Sequence, residues 1–488
     1  MRRHSLVVGL VLAVATTVVG AAAPSRAAAT DPIAALTVAG SPFYPNGDGV
    51  REKVTVAIRL TQRARLTVDV VDFDGNLVRT RLKDADRAAG THTVGWQGRN
   101  AAGKRVADGP YRFRVRAVAG KLEQTAEAWL AKARKVIYAA RPGAIVVAID
   151  PGHGDVYSEG GRTAPDGSHE KEYNLDIGLR LRAMLEGAGV STIITRTSQQ
   201  GVNTPEWDRN GDGEVGYADE LAARNDTANL GRADVFISNH NNLADNTRVG
   251  GPSTYYRQDR VFYAESYRLA KLVQSNMLAR LDLYRADTWK PSRSHGVLSH
   301  QRYYVLAPYN PPNLVRPTLM PGVLSEGLFL TRPYELYLLK QPRVRQSMAV
   351  AYYDAVRAFI AGRSYGARYA VRSDPGAAGP VAAGATLAYQ VRLVNTGMNA
   401  ASGWRLVASY VPAVTLYDGS GLRGEPRGEV AVPSLGRGAR SERSVTFTAP
   451  PAGDWLVKFD LLLPNGRYLS DLGIPPLQLP LTVEAPAP

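Results

Sequence analysis

The sequence predicts a multidomain chain in which a central α/β domain lies between two β-rich segments. Three observations lead there. A length of 488 residues suggests about three domains. Between Ala144 and Gly362, short apolar runs alternate with amphipathic stretches, as expected for buried strands covered by helices. On either side, alternating apolar and polar residues are cut by turn signals, the pattern of antiparallel strands.

The chain opens with a pattern of export. Arg2 and Arg3 precede an apolar run, Leu6 to Gly20, and Ala27-Ala28-Ala29 offers a small-residue cleavage site. A signal peptide over residues 1–29 is expected, with the mature chain starting at Thr30. The apolar run is short for a spanning helix, and no later stretch is long and apolar enough to cross a membrane. Arg2-Arg3 also hints at twin-arginine export. The expected protein is exported, extracellular or cell-wall associated. It has no cysteine, so disulfides and thiolate-held zinc are excluded. A net charge of +15 favours anionic surroundings such as cell-wall polymers, and export argues against nucleic acid.

Residues 30–122 form the first β-rich segment, with strands over Lys53–Leu60 and Arg65–Val71. Turns fall at Asn46–Gly49, Asp74–Asn76 and Asp108–Tyr111. Asn46 and Asp48 read as turn residues rather than cation ligands. Residues 123–143, charged and Ala-rich, read as a linker. The central segment, 144–362, offers strands at Ile145–Ile149, Ser191–Thr195, Val235–Ser238 and Val323–Ser325. Helices are expected over Asn174–Leu185, Tyr263–Leu283 and Val344–Ala361. Residues 363–376 read as a second linker and 377–488 as a second β segment. Its Trp404 and Trp455 are expected in the core rather than as sugar platforms.

Four residues carry the chemistry. His153 closes A-I-V-V-A-I-D-P-G-H-G, Glu170 opens E-K-E-Y-N-L, His240 closes A-D-V-F-I-S-N-H-N-N, and Glu326 closes P-G-V-L-S-E-G. Three of them end strands, where open α/β sheets gather ligands. Glu170 starts a helix, whose dipole favours a carboxylate. Two imidazoles and a carboxylate suit zinc with an open position, and a further carboxylate can take a proton from water. The set points to a metal-assisted hydrolase.

With T-R and L-x-x-R-N-x-x-A-N between them, these motifs resemble the zinc-dependent N-acetylmuramoyl-L-alanine amidase family over roughly residues 144–362. The resemblance implies an α/β domain with a mostly six-stranded sheet flanked by helices. It implies cleavage of the amide between N-acetylmuramic acid and the first L-alanine of the peptidoglycan stem. It maps the zinc ligands onto His153, Glu170 and His240, and the catalytic glutamate, the general base, onto Glu326. The first β segment, through F-Y-P-N-G-D-G-V, V-G-W-Q-G-R-N-A-A-G and D-G-P-Y, resembles the Ig-like domain of flagellar hook-capping proteins. The last segment loosely resembles Ig-like domains appended to bacterial wall enzymes. Both imply β-sandwiches without chemistry.

Some residues stand outside this pattern. The family commonly shows S-I-H-A-N where this chain has Ser238-Asn239-His240-Asn241-Asn242, so altered packing is expected at Asn239. Asn242 is a candidate for the wall of the substrate site. His169 precedes Glu170 and could compete as a ligand, but Glu170-Lys171 carries the motif; His295 and His300 are read as loop residues near the cleft. Arg196 and Arg224 are expected in buried ion pairs or helix packing. Asp208, Asn210, Asp212, Glu214 and Asp219, with Gly213, follow calcium-loop order, so a structural calcium ion is expected beside the zinc. Two other functions remain open: a zinc peptidase acting on cell-wall peptides, and a non-catalytic wall-binding or activator protein. The first would favour an H-x-x-E ligand motif, whereas His153 and Glu170 are far apart. The second sits poorly with an intact Glu326. The catalytic segment is expected to fold without its flanking domains.

Overall fold

Alternation along the chain builds the first part of the fold. In this computed structural model, residues 31–47, 49–133, 145–155, 163–287, 296–301, 303–308, 317–397, 399–412 and 424–485 are described. The export segment, Asp48 and His295 lie outside them. The N-terminal strands are β1 (Ile33–Ala39), β2 (Val54–Leu60), β3 (Ala64–Asp72), β4 (Leu77–Arg87), β5 (Gly90–Trp96), β6 (Gly109–Ala119) and β7 (Leu122–Lys132). They form sheets β1-β2-β5 and β4-β3-β6-β7. Val54, Val56 and Ile58 share one core with Leu66, Val68, Val70, Phe113 and Val115.

β7 corrects the first linker. Residues 122–132 pair along their whole length with β6. The Glu-Ala sequence is a strand whose glutamates cross to arginines: Glu127 to Arg112 and Arg114, Glu123 to Arg116. Charge and alanine content suggested a connector, but the period-2 alternation decides the structure.

The central part runs β8 (Val146–Pro151), α1 (Glu170–Gly187), β9 (Ser191–Ile194), α2 (Tyr217–Leu230), β10 (Val235–Asn242), β11 (Ser253–Tyr256), α3 (Tyr263–Leu281), β12 (Gly296–Ser299), β13 (Gly322–Phe329), α4 (Pro333–Lys340) and α5 (Pro342–Ala361). The sheet order is β12-β11-β13-β10-β8-β9. β9, β8, β10 and β13 are parallel, and β11 runs antiparallel to β13. Residues of α1, α3 and α5 pack on one face, with Leu181, Val273 and Tyr352 fully buried. Leu221 and Ala228 of α2 pack with Phe236 and Leu324 in a separate cluster. The apolar runs at β8, β10 and β13 are continuous because both faces are covered.

The C-terminal strands are β14 (Ala367–Ser373), β15 (Val381–Ala382), β16 (Thr386–Asn395), β17 (Arg405–Pro412), β18 (Pro426–Ala431), β19 (Arg440–Thr448), β20 (Gly453–Leu462) and β21 (Leu477–Glu484). Their sheets are β14-β16-β19 and β15-β21-β20-β17-β18. β14 lies inside the second expected linker and pairs with β16, since its short alternation is diluted by the glycines that follow. Trp404 is buried in this core, and Trp455 packs on Tyr410 with its Nε1 donating to Pro451 O at 2.8 Å.

The two flanking parts attach differently. The N-terminal sheets join the central core itself: Tyr44, Ala131 and Ala133 belong to the cluster built on α1 and α5. Arg180 of α1, buried, is held by Asp176 at 2.8 Å and Asp74 at 2.5 Å, and lies 4.5 Å above the Phe73 ring. Arg280 bridges Asp354 and Asp108. The C-terminal part attaches through ion pairs and through Gly473, packed against Pro321 and Phe262. Asp234, just before β10, takes Arg363 at 3.0 Å, Arg368, and the Val146 N–H at 2.9 Å. That contact lies at the end of β10 opposite His240.

The N-terminal contact leaves no room at Gly187. A Cβ there would stand 2.7 Å from the Leu130 carbonyl carbon. Gly187→Ala should therefore lower the melting temperature, by about 1–3 kcal/mol of overpacking. In an isolated helix the same change would stabilise by about 1 kcal/mol. A thermal melt decides by its sign: a rise would mean that the two parts do not close on each other.

Candidate functional site

The site begins with a buried carboxylate. Asp150, at the end of β8, accepts from Thr195 Oγ1 at 2.8 Å, Ser238 Oγ at 2.7 Å and Arg224 Nη1 at 2.8 Å. Burial alone would raise its pKa; Arg224 and the two hydroxyls outweigh that and hold it low. The next residues, Pro151-Gly152-His153, leave the strand in a turn gripped by two guanidinium groups. Arg196 donates to the carbonyls of Pro151 at 2.9 Å, Gly152 at 2.8 Å and Lys171 at 2.7 Å. Arg224 donates to Pro151 O at 3.0 Å and His153 O at 2.9 Å, and pairs with Glu220 at 2.8 Å. Burial, and Arg224 beside it, push the Arg196 pKa down to about 10.

The glycine of this turn serves a purpose the sequence did not disclose. The left-handed conformation falls on His153 itself, at φ 63°, a strained state for a side-chain-bearing residue. Gly152 is needed for space: a Cβ would sit 2.1 Å from His240 Cε1. The turn thus brings one imidazole over the other, with ring centroids 4.8 Å apart and planes nearly perpendicular at 80°.

Glu170, the first residue of α1, lies between them. Its Oε2 is 3.1 Å from His153 Nε2, and its Oε1 is 3.2 Å from His240 Nδ1. Burial would raise this carboxyl, but the two imidazoles prevail and hold it well below the usual range. Burial in turn lowers the His240 pKa, against the Glu170 carboxylate that raises it, a direction that favours the neutral ring metal binding needs. The three side chains place donor atoms within 4.8 Å of one another, the one such group of histidine, cysteine and carboxylate residues among the described residues. Two imidazole nitrogens and one carboxylate are a donor set that fits zinc.

Two asparagines orient Glu170, a third braces the helix that carries it, and the sequence reading missed the first two. Asn174, one helical turn on, donates Nδ2 to Glu170 Oε1 at 3.0 Å. Asn241 gives its backbone N–H to the same oxygen at 3.0 Å and its amide to Asn174 Oδ1 at 2.9 Å. Asn239, expected to alter packing, is buried and donates to Asn174 O at 2.8 Å. The i,i+4 spacing of Glu170 and Asn174 was the available signal.

Glu326 stands on β13 in direct register with His240 on the neighbouring parallel strand. It lines the same cleft, of about 360 Å³, as His153, Glu170, His240 and Asn242. Tyr217, Tyr303 and Tyr304 complete the wall. Arg224 is the buried ion pair expected. Arg196 instead satisfies carbonyls. His169 caps α1, its Nδ1 facing Thr163 Oγ1 at 3.1 Å, away from the donor group. His300 packs against Tyr303 with the rings tilted by 52°.

The stretch expected to be a calcium loop gains no support for a cation. Its carboxylates are turned to local backbone: Asp208 accepts from Gly211 N at 2.6 Å and Gly213 N at 2.9 Å, Asp212 from Glu214 N at 2.9 Å. Asn210 Nδ2 donates to Asp212 at 2.8 Å. Asp219 is buried at the start of α2, where it takes the N–H groups of Arg209, Asn210 and Gly216. Asp208, Asp212, Glu214 and Asp219 form no donor group of the kind found at His153. The same spacing builds an Asx-type turn and a helix cap.

Comparison with known proteins bears on this cleft. Residues 147–358 match the N-acetylmuramoyl-L-alanine amidase family, and residues 44–121 match the FlgD Ig-like domain. The germination-specific N-acetylmuramoyl-L-alanine amidase of Bacillus subtilis is 28% identical over 217 residues, 43% of this chain and 78% of the relative. The N-acetylmuramoyl-L-alanine amidase LytC of the same organism is 30% identical over 42% of this chain, but only 34% of that relative's length is covered. A solved structure, amidase AmiC2 of Nostoc punctiforme, is 28% identical over 45% of this chain and 99% of its own, with a TM-score of 0.34.

Because Arg224 ties Asp150 to the His153 turn, Arg224→Met should weaken metal binding by about 10–100-fold, as loss of an outer partner does. Competitive titration with a zinc-binding dye measures it. Unchanged affinity would mean the turn holds its shape without the guanidinium.

Proposed function

We propose, on the premise that residues 147–358 belong to the N-acetylmuramoyl-L-alanine amidase family, that this protein is an exported zinc amidase. It hydrolyses the amide between N-acetylmuramic acid and L-alanine in peptidoglycan. The observation that carries the reading is the convergence of His153, Glu170 and His240 within 4.8 Å, beside a cleft that Glu326 also lines.

The roles follow from the donor set. His153, Glu170 and His240 would hold the zinc ion, with Asn174 and Asn241 fixing Glu170 and the Arg196–Arg224 pair fixing the His153 turn. When bound, zinc supplies Lewis-acid polarisation of the carbonyl and acidifies water. Glu326 takes the proton from the water that attacks the carbonyl carbon. As the C–N bond breaks, the same carboxyl returns that proton to the alanine nitrogen, so the products are a free lactyl carboxyl and a free stem-peptide amine. Peptidoglycan lies outside the cytoplasmic membrane, so the reading requires export, for which Leu6 to Gly20 is the support in the sequence. No helix among the described residues is long and apolar enough to cross a membrane. We read the C-terminal pair of sheets as an Ig-like sandwich that, like the N-terminal one, carries no chemistry.

Mass spectrometry of digested sacculi tests the bond: free stem peptides beside intact glycan are expected, and cleavage within the stem or the glycan would overturn the reading. Glu326→Gln should keep zinc and lose about 10²–10⁴-fold in turnover, whereas His240→Ala should lose the metal as well. Zinc retained one-to-one in His240→Ala would reject that ligand.

A further inference from the structure

The cleft has a second side that none of the four motif residues occupies. β11 runs antiparallel to β13, with Ser253 opposite Glu326 and Tyr255 opposite Leu324. Opposed residues of an antiparallel pair point to the same face, so Tyr255 rises on the side of the sheet that Glu326 uses. Against it stands Tyr303, ring centroids 4.6 Å apart, and the two phenols are hydrogen-bond partners. His300 closes the cluster, 5.0 Å from Tyr303 and edge-on to Tyr255 at 5.8 Å.

Tyr303 is held from below. It caps the short 3-10 turn Tyr304–Leu306, and the buried Arg260 clamps that turn. Arg260 Nη1 donates to Leu306 O at 3.1 Å and Ala307 O at 2.8 Å, while Nη2 reaches Thr318 O. A buried guanidinium spent on three carbonyls is an expensive way to fix a loop, and it fixes the one that carries Tyr303. The phenol lines the cleft together with Glu326, His153 and Glu170. Burial, then the Glu326 charge, raises its pKa far above neutrality. It therefore keeps its proton at working pH and acts only as an uncharged donor toward anions.

A metal-assisted amide hydrolysis builds negative charge on the former carbonyl oxygen, and a fixed donor aimed there lowers the barrier. We propose that the Tyr303 hydroxyl donates a hydrogen bond to that oxygen as the amide carbonyl becomes tetrahedral, with Tyr255 positioning the phenol behind it. Tyr303 donates to Tyr255 in the resting site; a hydroxyl rotates to suit its partners, so that proton can turn into the cleft as the oxyanion forms, with Tyr255 then donating to the Tyr303 oxygen. The proposal rests on the amidase reading and adds a substrate-facing donor to it.

Tyr303→Phe tests it, because it removes one oxygen and keeps the ring packing. With soluble muropeptides, kcat should fall by about 10²-fold, the scale for one lost oxyanion donor. KM should move by less than about twofold, the pattern of an interaction made only in the transition state. Zinc content and melting temperature should stay at wild-type values. Tyr255→Phe should cause a smaller loss of the same kind. Should Tyr303→Phe lower the melting temperature, a fluorinated, more acidic tyrosine at 303 replaces it as the probe, and a new alkaline limb in kcat is expected. A kcat unchanged within about twofold would overturn the proposal, as would a rise in KM at constant kcat, which marks ground-state contact only. Wild-type protein that releases no stem peptide would instead count against the amidase reading itself.

Discussion

The site depends on one buried charge, the Glu170 carboxylate between two imidazoles. Removed from water, that carboxyl would take a proton; His153 and His240 on either side keep it ionised. The arrangement is bought with three converging backbone segments. A helix must start at Glu170, β10 must deliver His240, and the chain after β8 must turn back sharply enough to bring His153 over it. Each is enforced by side chains that never reach the cleft. Asn174 and Asn241 fix the carboxylate, Arg196 and Arg224 close the turn, and Asp150 balances Arg224. Left-handed strain at His153 persists because its surroundings over-determine it.

Much of this was legible in the sequence because the donors sit at the ends of apolar runs, and a parallel sheet brings such ends to one edge. His153, His240 and Glu326 needed only that rule; the His240–Glu326 register makes it concrete. Other features were illegible for physical reasons. Gly152 reads as a turn residue, yet its role is to make way for His240 from another strand. Tyr255 lies in a strand of four residues and Tyr303 in a connecting segment, both too short to show periodicity; the β11–β13 pairing puts Tyr255 on the face that Glu326 uses, and Tyr303 packs on Tyr255. The Asp208–Asp219 stretch is ambiguous by its spacing. Side-chain oxygens at alternate positions also make caps and Asx turns, and spacing alone does not separate these from a cation loop.

The linkers failed for a related reason. Composition marked 123–143 and 363–376 as connectors, while β7 and β14 lie within them. The consequence reaches the catalytic part. β7 lies against α1, so the helix that begins with Glu170 ends against the N-terminal sheets, where Gly187 meets Leu130. The charge on Arg180 is neutralised partly by Asp74 from those sheets. An arginine on a helix gives no hint in sequence of a partner 106 positions away. Removing the N-terminal part would expose an apolar face and leave that arginine short of a partner, a costly combination. The expectation of an independent catalytic segment therefore sits poorly with this interface, whereas the C-terminal part has a core of its own and meets the central part at the Asp234 ion pairs and at Gly473.

The central claim is that two imidazoles and one buried carboxylate form the metal centre. Anomalous diffraction from crystals of the full chain, recorded on both sides of the zinc absorption edge, tests it most directly. The account predicts one strong peak bounded by the side chains of His153, Glu170 and His240. A zinc peak elsewhere, or none at these residues in protein that carries stoichiometric zinc, would contradict it.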